Sequence, residues 1–226
     1  MPENSAFFPQ VMQRYTNDAS LPGVDQAFIA ALLRAFEEKV FCTEDFDRFP
    51  IEMIIEYIKR THVFYLTKKL PEIEQSIGLL SGLYNSYHPI LKALQDFFQA
   101  YCKDLTAHIM AEETLLLPHI RLLGRSIRSY RHHSEYIIAR EQYTIAGFLA
   151  AHNDTEDELR DIRRTILLYE PPSTNASLYR ILLAQLEAFE RDLCVHANIE
   201  DQVLIPKALQ METALNERLS KVAQAN

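Results

Sequence analysis

The sequence predicts an all-α protein, an up-down four-helix bundle carrying a short N-terminal helical extension. Three observations lead there. The 226 residues include five glycines and no tryptophan, and 48% are hydrophobic, so backbone breaks are few and apolar material suffices for a core. Apolar residues recur at steps of three and four over long stretches, the period of one helical face. And one phrase occurs twice: His108 to Pro118 and His196 to Pro206 share the pattern H-x-x-x-E-[ED]-x-x-L-x-P. A His and a Glu four residues apart lie on one face of a helix, about a turn from each other, so each phrase aims an imidazole and a carboxylate at one spot.

Residues 1–22 read as irregular, broken by Pro2, Pro9, Asn17-Asp18 and Pro22-Gly23. An amphipathic helix from about Asp25 to Val40 follows, with Phe28, Leu32, Ala35, Phe36 and Val40 on its apolar face. Thr43 to Pro50 reads as a polar linker closed by a proline at a helix start, which divides the chain into an extension, 1–49, and the bundle, 50–226. The first bundle helix sets Ile51, Ile54, Ile55, Ile58, His62, Tyr65, Leu66 and Leu70 on one stripe, so His62 takes a core position and Val63, about 100° away, does not. The second carries Leu91, Leu94, Phe98, Tyr101, Leu105, His108, Glu112, Leu115 and His119; Pro118 should kink it locally and Gly124 should stop it. The third offers Ile138, Ile145, Phe148, His152, Leu159, Ile162 and Ile166. The fourth offers Leu182, Leu186, Phe189, Leu193, His196, Glu200 and Val203, while Arg163-Arg164 and Glu190-Arg191 fall on other faces.

His62, His108, His152 and His196 are 46, 44 and 44 residues apart, a spacing that returns an up-down chain to one height on successive helices. The turn signals agree. About 19 residues separate His62 from the break near Ser81-Gly82, and about 19 separate the helix start at Pro89 from His108, so both legs are roughly 28 Å long. The break at Glu170-Pro171-Pro172 does the same for His152 and His196. Four imidazoles and two carboxylates therefore meet in one layer. Buried with no partner, each would cost on the order of 1–3 kcal/mol, and the carboxylates more. A metal removes that cost.

Such a donor set exceeds one tetrahedral zinc and suits two borderline ions, each bound by two His and bridged by Glu112 and Glu200, with room for an oxo or hydroxo bridge and an exogenous ligand. Ferritin-like di-iron bundles instead place a Glu three residues before the His. Those places hold Lys59, Leu105, Leu149 and Leu193 here, which excludes that class.

Over roughly residues 50–210 the chain resembles the hemerythrin-like, or HHE cation-binding, family. The marks are Thr61-His62 followed by Leu70-Pro71-Glu72, then His88-Pro89, the two H-x-x-x-E phrases, and Ala151-His152 with Leu159. Within the family it looks most like the branch called repair of iron centres, which helps to restore iron–sulfur clusters damaged by nitric oxide or peroxide. The resemblance implies two non-haem iron ions, with zinc or another divalent metal as alternative occupant. It further implies bridging roles for Glu112 and Glu200 and terminal roles for His62, His108, His152 and His196. Members of the repair branch often carry adjacent cysteines followed by glycines near the N-terminus, where this chain has Cys42. Oxygen-carrying hemerythrins place a second His four residues after the third-helix His, where this chain has Glu156.

Among the remaining polar residues, His119 reads as a packed helix-end side chain more readily than as a neighbour of the ligands. Glu113 and Asp201 read as solvated or as hydrogen-bonded to a ligand imidazole. His88 suits a cap before Pro89, and His132-His133 a solvated place in a basic loop from Arg125 to Arg131. Tyr65 and Tyr101 fit packing or the lining of the site equally well. Cys42, Cys102 and Cys194 show no C-x-x-C spacing and read as small buried hydrophobes. The formal net charge of −8 argues against nucleic-acid and anionic-membrane partners. With no basic, then apolar, N-terminal run and no apolar stretch of about 18 residues, a cytoplasmic protein is expected. Two functional classes follow. One is a di-iron protein that binds or reduces nitric oxide or dioxygen, or supplies iron to damaged iron–sulfur proteins; the other is a non-catalytic sensor of oxygen, redox state or iron, or an iron store.

Overall fold

The computed structural model describes residues 25–38, 41–83, 89–151, 163–164 and 176–224, and among them every regular element is helical. Helix α1 (Gln26–Glu38) is opened by Asp25, whose Oδ1 accepts the Ala27 N–H at 2.8 Å and so satisfies a donor the helix start leaves over. Helix α2 is short, Thr43–Asp47. Helix α3 covers 51–83 as Ile51–Phe64, a π-helical turn Tyr65–Lys69, and Leu70–Leu83. Helix α4 covers 89–128 as Pro89–Ala111, the π-turn Glu112–Leu116, and Leu117–Arg128. A 3-10 turn, Tyr130–His132, leads to α5 (His133–Gln142) and then α6 (Ile145–Ala151). Helix α7 covers 176–224 as Ala176–Ile199, the π-turn Glu200–Leu204, and Ile205–Gln224.

The three π-turns share one sequence mark. Pro71, Pro118 and Pro206 each stand six residues after the first residue of a π-turn, Tyr65, Glu112 and Glu200. In an α-helix a proline ring collides with the carbonyl four residues back, and proline offers that carbonyl no N–H. One extra residue in the turn relieves the collision. The N–H groups just before the prolines, of Leu70, Leu117 and Ile205, then bond five residues back to the carbonyls of Tyr65, Glu112 and Glu200. The kink expected at Pro118 is thus a bulge that starts at Glu112. It also turns the following face by about 100°, which is why Leu115, expected in the core, is 49% exposed while Leu116 is buried.

Buried apolar side chains form two clusters, and on each long helix the change from one to the other falls at the His and Glu positions. The change lies between Ile58 and Phe64 on α3, between Ile109 and Leu116 on α4, and between Leu193 and Val195 on α7. The polar layer therefore has an apolar block on either side. Helix α1 belongs to the first block, where Phe28 meets Phe46, Phe49 and Tyr57 edge-on at 5.9, 5.0 and 5.8 Å.

Several local expectations need correction. The segment from Thr43 to Pro50 is not a plain polar linker: it coils into α2 because Phe46 and Phe49 are drawn into the first block. Gly124 does not end α4. The helix runs on to Arg128 and stops at Ser129, whose extended backbone (φ −150°, ψ 128°) donates its N–H to the Arg125 carbonyl, while Gly124 is buried beside Arg128 and Met211. The third bundle helix is broken, since Tyr143 is extended and Thr144 Oγ1 caps α6 by accepting the Gly147 N–H at 3.0 Å. On α5 it is Tyr136 that is buried, and Ile138 is 63% exposed. The expected basic loop is the last turn of α4 plus the 3-10 turn, and His133 is half-buried with Nε2 2.9 Å from the Ser126 carbonyl. Arg163 and Glu190 pair with each other, Nε to Oε2 at 2.5 Å. Cys42 and Cys194 are exposed rather than core hydrophobes, whereas Cys102 packs half-buried against the apolar block that holds Leu105, with burial pushing its thiol up to about 12. Residues 1–22, Val40, His88, His152, Glu156, Leu159, Ile162, Ile166 and the 170–172 turn lie outside the described residues. No described helix is long and apolar enough to cross a membrane.

Candidate metal centre

Three helices bring their polar residues to one point between the apolar blocks. His62 of α3, Glu112 of α4 and His196 of α7 are all buried, and each offers a ligand atom within 4.8 Å of the others. Glu112 is the hub: its Oε2 lies 2.9 Å from His62 Nε2 and its Oε1 lies 2.5 Å from His108 Nε2. Glu200 completes the layer from α7, with Oε2 3.7 Å from His196 Nε2. Five of the six residues expected from the sequence thus share the layer, and His152 lies outside the described residues. Val63, next to His62, is 61% exposed, as its place on the helix requires.

The outward-facing ring nitrogens are held too. His62 Nδ1 lies 3.0 Å from Glu113 Oε1, and the other oxygen of Glu113 lies 3.7 Å from Lys59 Nζ. His196 Nδ1 lies 2.8 Å from Thr61 Oγ1, whose single hydrogen goes to the Ile58 carbonyl at 2.7 Å. Thr61 must therefore accept from His196, which places the ring proton on Nδ1 and leaves the Nε2 lone pair facing inward. Burial, followed by the charge of nearby His62, pushes the His196 pKa down to about 3, so this imidazole stays neutral. Tyr65 stands edge-on to His196 at 5.6 Å and lines the site, whereas Tyr101 packs on Phe98 and Phe189.

These donors fit a cation. His62 Nε2 makes no hydrogen bond although Glu112 Oε2 is 2.9 Å away, and His62, Glu112 and His196 each bring a ligand atom within 4.8 Å of the others, close enough to share one ion. The neutral imidazole of His196, fixed from behind by Thr61, is in the form that binds a divalent metal, and the ring of His62 is held from behind in the same way by Glu113. His119 takes no place in this layer. It is buried further along α4, where its Nε2 pairs with Glu212 Oε1 at 3.1 Å and its ring meets Tyr143 edge-on at 5.0 Å. Of the residues around the site, sequence reasoning missed Thr61, Lys59 and Glu212 as partners. Glu212 did leave a signal, a carboxylate on the stripe formed by Leu204, Ala208 and Leu215.

Residues 54–208 match the hemerythrin HHE cation binding domain, a span that takes in the whole polar layer and all three π-turns. The chain belongs to the hemerythrin HHE cation-binding family. This HHE chain is 22% identical over 203 residues to the iron-sulfur cluster repair protein YtfE of Yersinia pseudotuberculosis, covering 90% of this chain and 85% of that protein. The YtfE protein of Yersinia pestis gives the same identity and coverage. The iron-sulfur cluster repair protein ScdA of Staphylococcus haemolyticus is 23% identical over 154 residues, which cover 68% of this chain; the chain spans 65% of the length of that relative.

Proposed function

We propose that this HHE protein is a cytoplasmic di-iron protein of iron–sulfur cluster repair, which binds nitric oxide or dioxygen or gives up iron to damaged iron–sulfur proteins. The convergence of His62, Glu112 and His196 carries the proposal. His62 and His196, whose rings lie 5.1 Å apart, would hold one ion together with Glu112, and His108 and His152 would hold the other. Glu112 and Glu200 would serve both ions. When bound, the pair supplies two adjacent redox-active irons with an open coordination position for a small diatomic ligand.

The chain's own residues do the rest. Glu112 turns one oxygen to His62 and the other to His108, so a single buried carboxylate spans the two halves of the site. Thr61 and Glu113 hold the rings of His196 and His62, and the apolar blocks keep bulk water out. The names of the relatives support repair. An oxygen, redox or iron sensor, or an iron store, would use the same residues and differ in whether ligand or iron leaves the site changed.

Elemental analysis of protein loaded anaerobically should give about two irons per chain, the number the paired donor sets require. A reproducible single zinc with no iron uptake would sink the proposal. The reduced protein should then oxidise in air without reversible oxygenation, respond optically to nitric oxide, and restore a nitric-oxide-damaged iron–sulfur protein. A stable, reversible dioxygen complex would move the reading to oxygen storage or sensing. Glu156→Gln should leave metal content nearly unchanged.

A further inference from the structure

We infer that Glu113 and Lys59 form a charge relay behind His62, with Glu113 as a positioning residue that tightens and tunes the ion held there and Lys59 as its attenuator. The inference rests on the di-iron reading above and adds two side chains that are not ligands.

The geometry is a line from the buried layer to the surface. Glu113 Oε1 sits 3.0 Å from His62 Nδ1, at the ring nitrogen opposite the one that faces Glu112, and Lys59 Nζ sits 3.7 Å from Glu113 Oε2. Side-chain exposure rises along the line from 2% at His62 to 25% at Glu113 and 37% at Lys59. Helix α3 supplies both ends, with Lys59 one turn before His62, and α4 supplies the carboxylate next to the hub Glu112. His196 offers the internal contrast, since its outer nitrogen meets the neutral hydroxyl of Thr61 instead of a charge.

A carboxylate accepting Nδ1–H draws the ring proton outward and makes Nε2 a stronger electron donor than a hydroxyl would. Stronger donation tightens metal binding and favours the ferric over the ferrous ion, so the reduction potential falls. The ammonium of Lys59 withdraws part of that effect by competing for the carboxylate's charge. Because this pair is looser and partly solvated, its influence is the smaller of the two. The two residues must therefore act in opposite directions, which a purely structural ion pair would not do.

The test compares wild-type protein with Glu113→Gln and Lys59→Met, by cobalt(II) titration against a competing chelator and by redox titration of the iron-loaded protein. Glutamine keeps the size and can still accept from Nδ1, but carries no charge. Glu113→Gln should weaken one of the two metal equivalents about 10–100-fold, the range typical for such outer partners, and should raise the potential. Lys59→Met should lower the potential by a smaller amount. If the wild-type protein fails to bind two metals, the di-iron reading falls. If it binds two and Glu113→Gln keeps wild-type affinity and potential, the relay alone is overturned. A Lys59→Met potential shifted upward, or not shifted at all, would also overturn the relay. Should Glu113→Gln fail to fold, Lys59→Met, altered at a partly exposed position, still decides between these outcomes.

Discussion

The two H-x-x-x-E phrases share their spacing, their π-turn and their proline, yet they meet the site in different ways. In the first, Glu112 is fully buried and divides its oxygens between His108, 2.5 Å away, and His62, 2.9 Å away. In the second, Glu200 stands 3.7 Å from His196, and it is the imidazole that is deeply held, with its outer nitrogen on Thr61. The side chain of His108 is 17% exposed and that of His196 7%. One phrase supplies the central carboxylate and the other the more deeply held of the two rings. A repeated pattern fixes the height of its donors on a helix, and the neighbouring helices decide what each donor does.

The largest effect should come from the hub. If Glu112 serves both halves, Glu112→Ala should take metal content from about two per chain to near zero, and if Glu200 is the second bridge, Glu200→Ala should also lose both ions. His152→Ala should weaken mainly one. Elemental analysis of the three purified variants reads this directly, and equal partial loss in all of them would contradict the division of roles.

The second phrase should dominate the acid response of the metal-free protein. His196 stays neutral in the fold down to about pH 3, while in the unfolded chain it protonates at its ordinary 6.5. Between those values the unfolded state binds the extra proton, so stability falls as the pH drops from 6.5 towards 3, and above 6.5 the group adds no pH dependence. Melting temperatures of metal-free protein across that range should decline, and His196→Gln should flatten the decline. An unchanged slope in that variant would assign the acid sensitivity to other groups.

The contrast also marks how far the sequence is legible. Helical period placed His62, His108, Glu112, His196 and Glu200 on buried faces, because those stripes are continuous from the turn signals up to the layer. Beyond Glu112 the same extrapolation chose Leu115 instead of Leu116, since the inserted residue of the π-turn rotates everything after it. The break at Tyr143 and Thr144 escaped notice because no glycine or proline marks it, and a threonine cap does the work instead. Thr61 and Lys59 were silent for another reason. Their roles depend on residues of other helices, on His196 in one case and Glu113 in the other, and spacing along one helix carries no information about those partners.

Past the two phrases, α4 and α7 are joined again by the buried pair of His119 and Glu212, 3.1 Å apart. His119→Leu would leave the buried Glu212 carboxylate without its imidazole partner, facing the Ile145 N–H, 3.5 Å away. The loss should be on the order of 1–3 kcal/mol in urea unfolding of the metal-free protein, with metal stoichiometry unchanged. A fall in metal content of the folded variant would show that the pair supports the site directly.

The smallest effect should come from the prolines. Replacing Pro118 by Ala restores an N–H and removes the ring that prevents α pitch, so a regular turn becomes possible and would gain a net hydrogen bond of about 0.5–1.5 kcal/mol. Taking that turn, however, would rotate the rest of α4 by about 100°, carrying Leu116, Leu117, Ile120 and Leu123 out of the first apolar block. Burial of one such side chain stabilises by about 1.5–3 kcal/mol, so four outweigh the hydrogen bond. The π-turn should therefore persist in Pro118→Ala, with stability within about 1 kcal/mol of wild type and metal content intact. The same holds for Pro206→Ala, because Val203, Leu204, Ile205 and Ala208 are buried in the same block. Deleting Thr114 instead removes the extra residue itself while keeping Pro118, and that variant should unfold readily in urea. If Pro118→Ala proves as damaging as the deletion, the proline holds the bulge open and packing does not.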